Sequence, residues 1–330
     1  MSRSIMIIIL AVALQSPFYF AEAAEIRAFH NINQLPFKQI FELPSLDNNP
    51  LTEAGKWRFN LISNLSNTYS NTNGSSEQLA TDCETLRASL IVNYGLRDNL
   101  QLSLEVPYVS HGEGFLDDFI YDWHDFFNLP QNGRTKASSD QLYISYESGG
   151  TTLFELSGPE NGPGDIRVNG AFTKPWNNRT LIFSAELKLP TGDYARLTGS
   201  GGYDFSLGLM LNDPFSLGKY RITLYGGFAG LYLGDMDGAL GDIQKNFVIS
   251  GRAGFGWKAT KIIHLKVQLD ALSALYDSEL KDLGDPAFLL TTGVSLVFTD
   301  DFYLDLSVAE DIGTLTAADV AFQLALVAAF

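Results

Sequence analysis

The sequence has a single cysteine, four scattered histidines and, past its first twenty-odd residues, no long apolar run. Each shortage closes a route. Cys83 alone can neither form an internal disulfide nor assemble a cysteine zinc site. His30, His111, His124 and His264 show no metal-ligand spacing. Without about 18 consecutive apolar residues after position 23, no transmembrane helix is expected. Basic residues are also scarce. Against 38 Asp and Glu stand 22 Lys and Arg, a net charge of −16, which argues against nucleic acid as a partner. No phosphate-binding glycine loop, serine elbow or cofactor fingerprint occurs, so no cofactor, metal or catalytic set is expected.

What is present begins with an export pattern. Arg3 supplies a positive end, Ile5 to Leu14 an apolar core, and "AEA" at Ala21 to Ala23 a small-residue cleavage site. Residues 1–23 therefore read as a signal peptide, its core being short of the roughly 20 residues that span a bilayer. Residues 24–55 follow, with Pro36, Pro44 and Pro50 among Leu35, Phe37, Ile40, Phe41 and Leu43. That composition is too apolar for a linker. The segment is expected to be periplasmic, or to enter the domain formed by residues 56–330 as a plug.

From Lys56 onward, segments alternate apolar and polar residues. In "NLQLSLEVPYV" Leu100, Leu102, Leu104, Val106 and Tyr108 oppose Gln101, Ser103 and Glu105. In "RTLIFSAELKL" Leu181, Phe183, Ala185, Leu187 and Leu189 oppose Thr180, Ser184, Glu186 and Lys188. "KWRFNLISNL", "KIIHLKVQLDA" and "DDFYLDLSV" repeat the pattern. Strand side chains point to opposite faces in turn, so each strand has one apolar and one polar face.

Three features favour a membrane barrel over a soluble sandwich. The candidate strands are about ten to twelve residues long, where globular strands centre on five or six. Tight turns ("GLRDN", "SGG", "KATK", "TDD") alternate with long loops. Aromatics (Trp57, Tyr94, Tyr108, Trp257, Phe298, Phe330) stand at strand ends, as interfacial girdles do. The fold expected is all-β: a transmembrane antiparallel barrel in the outer membrane of a Gram-negative bacterium.

Fourteen strands are expected, near 56–66, 84–95, 98–108, 140–148, 151–157, 164–174, 179–189, 203–212, 219–232, 246–257, 262–273, 286–298, 301–309 and 319–330. Twelve remain if the 140–157 pair is lost. Long external loops are expected near 67–83, 109–139, 158–163, 190–202, 233–245, 274–285 and 310–318, many of them acidic. Lipids and lipopolysaccharide of the outer membrane would be the surroundings. The last strand, "ADVAFQLALVAAF", presents Phe322, Leu324, Leu326 and Phe330 on one face. Such an ending is expected to signal the barrel-assembly machinery, and to pair with the first strand so that no sheet edge is left.

Two groups of residues are candidates for function. Alternation places Arg87, Glu105, Arg167, Glu186, Lys188, Arg221, Arg252, His264, Lys266, Asp270 and Asp305 in the lumen, giving either a charge-paired interior or a wet channel. In the 109–139 loop, aromatics recur at three- and four-residue spacing between acids, the pattern of an amphipathic helix. His111, Glu113, Phe115, Phe119, Trp123 and His124 there could form a constriction at the barrel mouth. The same helix could instead lie in the outer-leaflet interface, bind a partner or carry a catalytic group.

The stretch "LIVNYGLRDNLQLSLEVPYVSHGEGFLDDFIYDWHDFFNLPQNGR" resembles the central signature of the proteobacterial family called domain of unknown function 3187. That resemblance implies an outer-membrane barrel without assigned activity. "GPGDIRVNG" followed by "LKLPTGD" is similar to a hairpin of phenol-degradation-type outer-membrane barrels, which implies passage of hydrophobic substrates. The expected function is a channel or transporter for a small solute, with a hydrophobic one among the candidates. The alternatives are a lipid-modifying enzyme of the outer membrane and a structural or adhesive barrel.

Overall fold

Among the described residues, alternation of apolar and polar side chains resolves into fifteen antiparallel strands: β1 (Trp57–Asn73), β2 (Glu77–Arg97), β3 (Leu100–Gly112), β4 (Tyr143–Ser148), β5 (Thr151–Leu156), β6 (Glu160–Pro163), β7 (Ile166–Trp176), β8 (Arg179–Leu189), β9 (Asp204–Asp213), β10 (Ile222–Leu233), β11 (Phe247–Lys258), β12 (Ile263–Leu272), β13 (Ala287–Thr299), β14 (Phe302–Asp311) and β15 (Val320–Ala329). The structure is a computed structural model that describes residues 25–41, 46–48, 51–116, 122, 125, 140–312 and 315–330.

The sheet closes on itself. β1 pairs with both β2 and β15, and β3 joins β2 to β7, so β1 to β3 and β7 to β15 form a ring of twelve strands. Closure removes the edges that an open sheet would expose. The pair expected at 140–157 does form, as the β4–β5 hairpin, but outside the ring. β4 pairs with Glu77 to Asp82 of β2, beyond the reach of β3, which pairs with β2 only from Glu84 onward. Twelve strands, not fourteen, make the wall.

The loop expected at 67–83 is also absent. β1 and β2 stay paired to Asn73 and Gln78, with only residues 74–76 between them. Ser, Thr and Asn occupy both faces of "SNTYSNTN", which hides a two-residue period although β-branched and aromatic residues still favour the strand. Residues 158–163, expected as loop, contain β6, which pairs with Tyr108 to His111.

Alternation decides what faces lipid. Leu61, Leu102, Leu104, Val106, Leu265 and Leu324 are exposed on the outer surface. At the short-turn end, periplasmic in barrels of this kind, stand Trp57, Trp176, Tyr220, Trp257, Phe298, Phe302 and Phe330. The Trp57 and Tyr94 rings lie 4.6 Å apart in this girdle, whereas Tyr108 belongs to the opposite rim, where its hydroxyl donates to Asn161. The turn between β7 and β8 is two asparagines, Asn177 at φ 47° and Asn178 at φ 65°. Left-handed φ at both positions is the geometry that a two-residue hairpin on a right-twisted sheet requires.

Candidate functional site

An eight-stranded barrel is just filled by its own inward side chains, and diameter grows with strand number. Twelve strands leave space, and the described residues between Ile26 and Thr52 occupy part of it. Ile26, near the short-turn end, packs where Gly256 has no side chain. The one-turn helix α1 (Pro36–Gln39) sits at the opposite end, and Thr52 is back among β3 residues, bonded to Gln101. The segment thus runs up one side of the lumen and returns.

It is held mainly by wall side chains that pair with its backbone. Gln268 accepts from Phe29 N at 2.9 Å and donates to Phe29 O at 3.2 Å, as a neighbouring strand would. Lys266 donates to Arg27 O, Arg252 to both Leu46 O and Asn31 O, and Gln323 to His30 O. Asn48 closes the ascending and returning limbs, bonding Ala28 N, Ile26 O and the wall residue Asn212. Irregular backbone at membrane depth is tolerated only when its polar groups are met in this way.

Most of the inward charges expected from alternation face the lumen, and they are paired. Arg167 spans Glu105 and Glu186, with Arg87 on the far side of Glu105 at 3.7 Å and His30 of the lumen segment at 3.5 Å. Lys188 joins Asp165 at 2.9 Å and Asp204 at 2.8 Å. Arg252 meets Asp270 at 2.5 Å, and Lys266 meets Asp305 at 3.1 Å. Two candidates differ. Arg221 is exposed in the β9–β10 turn, with φ 62°, because β10 starts one residue later. His264 is inward and buried, but its Nε2 has no hydrogen-bond partner.

The segment is bonded chiefly to β11 and β12, and a cavity remains beside it. The cavity, of about 80 Å³, lies between the segment (Ala28, Phe29, His30, Asp47 and Leu51) and side chains of β1, β2, β3, β7, β8, β11, β14 and β15. Its wall carries Ile62, Ile91, Ile182 and Ala325, and the Arg167–Glu105–Glu186 group also lines it.

The far end of the lumen is capped. Phe37, Ile40 and Phe41 join one buried apolar cluster with Ile144 and Phe154 of the β4–β5 hairpin and with Leu197, Leu240, Tyr276 and Leu283 of the loops. Phe37 and Phe154 meet edge to face at 5.3 Å, and Tyr276 donates to Phe37 O at 2.6 Å. Lys38 is buried within this cap. Loss of hydration pushes its ammonium down to about 8, partly offset by the charges of Asp282, Asp311 and Asp285. Because the unfolded lysine titrates near ~10.4, the folded chain binds fewer protons between those values. Its charge therefore penalises folding below about pH 8, and the penalty is relieved as pH rises. Lys38→Met should raise the urea midpoint at pH 7 and leave it nearly unchanged above pH 10; an equal shift at both would contradict the assignment.

The candidates of the 109–139 loop separate. His111 points inward, fully buried, between Thr85 Oγ1 at 2.9 Å, Leu197 O at 3.2 Å and Gln39 Nε2 at 3.4 Å. Nε2 donates to the Leu197 carbonyl and Nδ1 accepts from Thr85, so the imidazole ties wall and cap together, with the Gln39 amide nitrogen, itself a donor, only packed beside it. Ser110 lies on the opposite face of the strand, and Glu113 is exposed. Phe115 does not join His111 at the mouth. The chain turns at Gly114 (φ 81°) over Glu84, whose carboxylate accepts from Phe115 N and Leu116 N. Leu116 then packs on Val320, Phe322 and Leu65 of the outer wall. Phe119, Trp123 and His124 lie outside the described residues. Among those that are described, no group of three His, Cys, Asp or Glu could hold a metal ion.

Alternation placed amides such as Gln101 on the polar face, but only the charges were singled out as candidates. Gln268, Gln101 and Asn212 of the wall and Asn48 of the segment make much of the contact between the two, and Asp165 and Asp204 complete the Lys188 site. The inward positions in the strands were readable from the two-residue period; which of them meet the segment is a property of the closed ring.

A closed ring with an apolar exterior and a charged, paired interior is an outer-membrane β-barrel. The family model for DUF3187, "Protein of unknown function", matches residues 3–330. The chain belongs to the DUF3187 family. Among solved structures it is similar to the COG4313 outer-membrane channel from Pseudomonas putida F1, with a TM-score of 0.57 and 13% identity over 87% of this chain and 99% of that one. The NanC porin is more distant, with a TM-score of 0.46 and 9% identity over 82% and 98% of the two chains. No curated protein matches the sequence significantly. At these identities the likeness speaks for the fold of this DUF3187 protein alone.

Proposed function

We propose that this protein is an outer-membrane channel for a small, partly apolar solute, and that residues 25–48 act as its plug. The observation that carries the reading is the way the lumen segment is bound. It is held largely by side-chain hydrogen bonds and charges, contacts that water can replace, with a cavity beside it. Apolar packing of the segment is densest at the cap, and against the wall it is limited to Ile26, Ala28 and Leu46. The fold shared with an outer-membrane channel supports the reading. His111 offers little to the enzymatic alternative, since its two ring nitrogens are engaged and Ser110 faces away.

Gln268→Leu removes the partner of both Phe29 backbone groups and should loosen the plug. Solute-driven swelling of liposomes should be faster for this variant than for the parent protein, for small uncharged solutes. Equal rates would count against a plug that controls passage, and a hydrolysed lipid product would favour the enzyme.

The C-terminal strand carries a separate expectation. Phe322, Leu324 and Leu326 face outward, and Phe330 is bonded through its backbone to Trp57 at 2.8 and 3.1 Å. The Phe330 ring is 76% exposed and available to the assembly machinery before insertion. Deleting Phe330 should slow the appearance of folded, heat-modifiable barrel in cells without reducing export. Unchanged assembly kinetics would refute the role.

A further inference from the structure

The lumen cavity has a chemistry of its own, and the register of the wall sets it out. Asn60, Ile91, Glu105 and Arg167 stand side by side on β1, β2, β3 and β7. Neighbouring strands are ~4.8 Å apart, so Asn60 and Glu105 flank Ile91 at about 10 Å from each other. Ile91 clusters with Ile62 and Ala325 in an apolar patch, and Ile182 lines the same cavity from β8.

Two acceptors on this rung take no hydrogen bond from the protein: Asn60 Oδ1 and Glu105 Oε1. Glu105 is only 5% exposed, and Arg87 at 3.7 Å is too distant to donate to it. A buried acceptor without a donor is costly and calls for a partner.

Charge narrows the partner further. The cations of the lining are engaged: Arg167 with Glu105 and Glu186, and Arg252 with Asp270. An anion would have to break one of these pairs. A cation at Glu105 Oε1 would lie beside two guanidinium groups, Arg87 and Arg167. An uncharged donor meets neither cost.

We propose that this cavity is a binding site for a small neutral amphiphile, an apolar ring or short chain bearing a hydroxyl or amide N–H. The apolar body lies on Ile62, Ile91 and Ala325, and the donor points to Asn60 or Glu105. Apolar side chains beside a few convergent polar groups that fix orientation are the usual form of small-molecule sites. The site deepens the channel reading by naming the class of solute, and it rests on that reading for its role in transport.

The test is isothermal titration of the full chain in detergent with benzyl alcohol, benzoate and benzylammonium. Benzyl alcohol should bind at one site, with each charged analogue weaker by about tenfold or more. Ile91→Trp fills the cavity and should abolish binding. Ile182→Trp does the same from another strand should the first variant fail to give a heat-modifiable barrel. Asn60→Leu should weaken the alcohol about fivefold, the scale of one lost neutral hydrogen bond. Charged analogues binding as tightly as the alcohol would overturn the neutral class, and binding that survives both tryptophans would overturn the site. Either result would leave the plug untouched, because the plug is tested by conductance and not by titration.

Discussion

Replacing Lys188 by alanine should destabilise the barrel by about 3–5 kcal/mol, the usual cost of removing one partner from a buried ion pair. Lys188 is 2% exposed and holds two carboxylates, Asp165 just before β7 and Asp204 at the start of β9. Its ammonium also donates to Ser200 Oγ and to Ile40 O at 3.4 Å, so it joins β8 to β9, to the loops that hold Asp165 and Ser200, and to the lumen segment. Asp165 is fully buried and accepts from Gly192 N at 2.8 Å and Ser200 N at 3.0 Å. Without the lysine, two buried carboxylates face each other across an apolar gap. The loss should appear as a lower urea midpoint in detergent, and Asp204→Asn in the same chain should recover part of it, because one uncompensated charge is then gone. A change below about 1 kcal/mol, the range of an exposed pair, would show that water reaches the site.

The Lys188 site also shows what a sequence can and cannot disclose. "GPGDIRVNG" and "LKLPTGD" are legible as two ends of one hairpin, and alternation puts Arg167 and Lys188 on its inner face. Asp165 precedes the first residue of β7, so no period marks it. Gly192 is required for another reason: a Cβ there would lie 2.7 Å from the backbone of Gly199, a contact made only when the loop folds back. The twelve wall strands were readable because lipid outside and charge inside impose a strict alternation. Above the rim that contrast disappears. The ends of β1 and β2, with polar residues on both faces, were therefore read as loop, and the β4–β5 hairpin as wall. Phe37, Ile40 and Phe41 were conspicuous in sequence because they are apolar residues in a segment too short to form a core. Their partners, Phe154, Tyr276 and Leu240, come from three distant connections that only barrel closure brings together.

Deleting residues 26–50 should open the pore. Those residues supply the only described chain that crosses the lumen, and the twelve wall strands close without them through the β1–β15 pairing. The wall retains its own ion pairs, Arg167 with Glu105 and Glu186, Lys188 with Asp165 and Asp204, Arg252 with Asp270, and Lys266 with Asp305, so the barrel should still assemble. Gln268, Arg252, Lys266 and Gln323 would exchange backbone partners for water. The cap would lose Phe37, Ile40 and Phe41, and the loops around them would loosen. A ring of twelve strands, wider than the eight that side chains alone can fill, would then hold a continuous aqueous path. The direct measurement is single-channel conductance in planar bilayers of the full chain and of the chain lacking residues 26–50. A nearly silent full chain and a steadily conducting deletion variant are the predicted pair; equal conductance in the two would contradict the account.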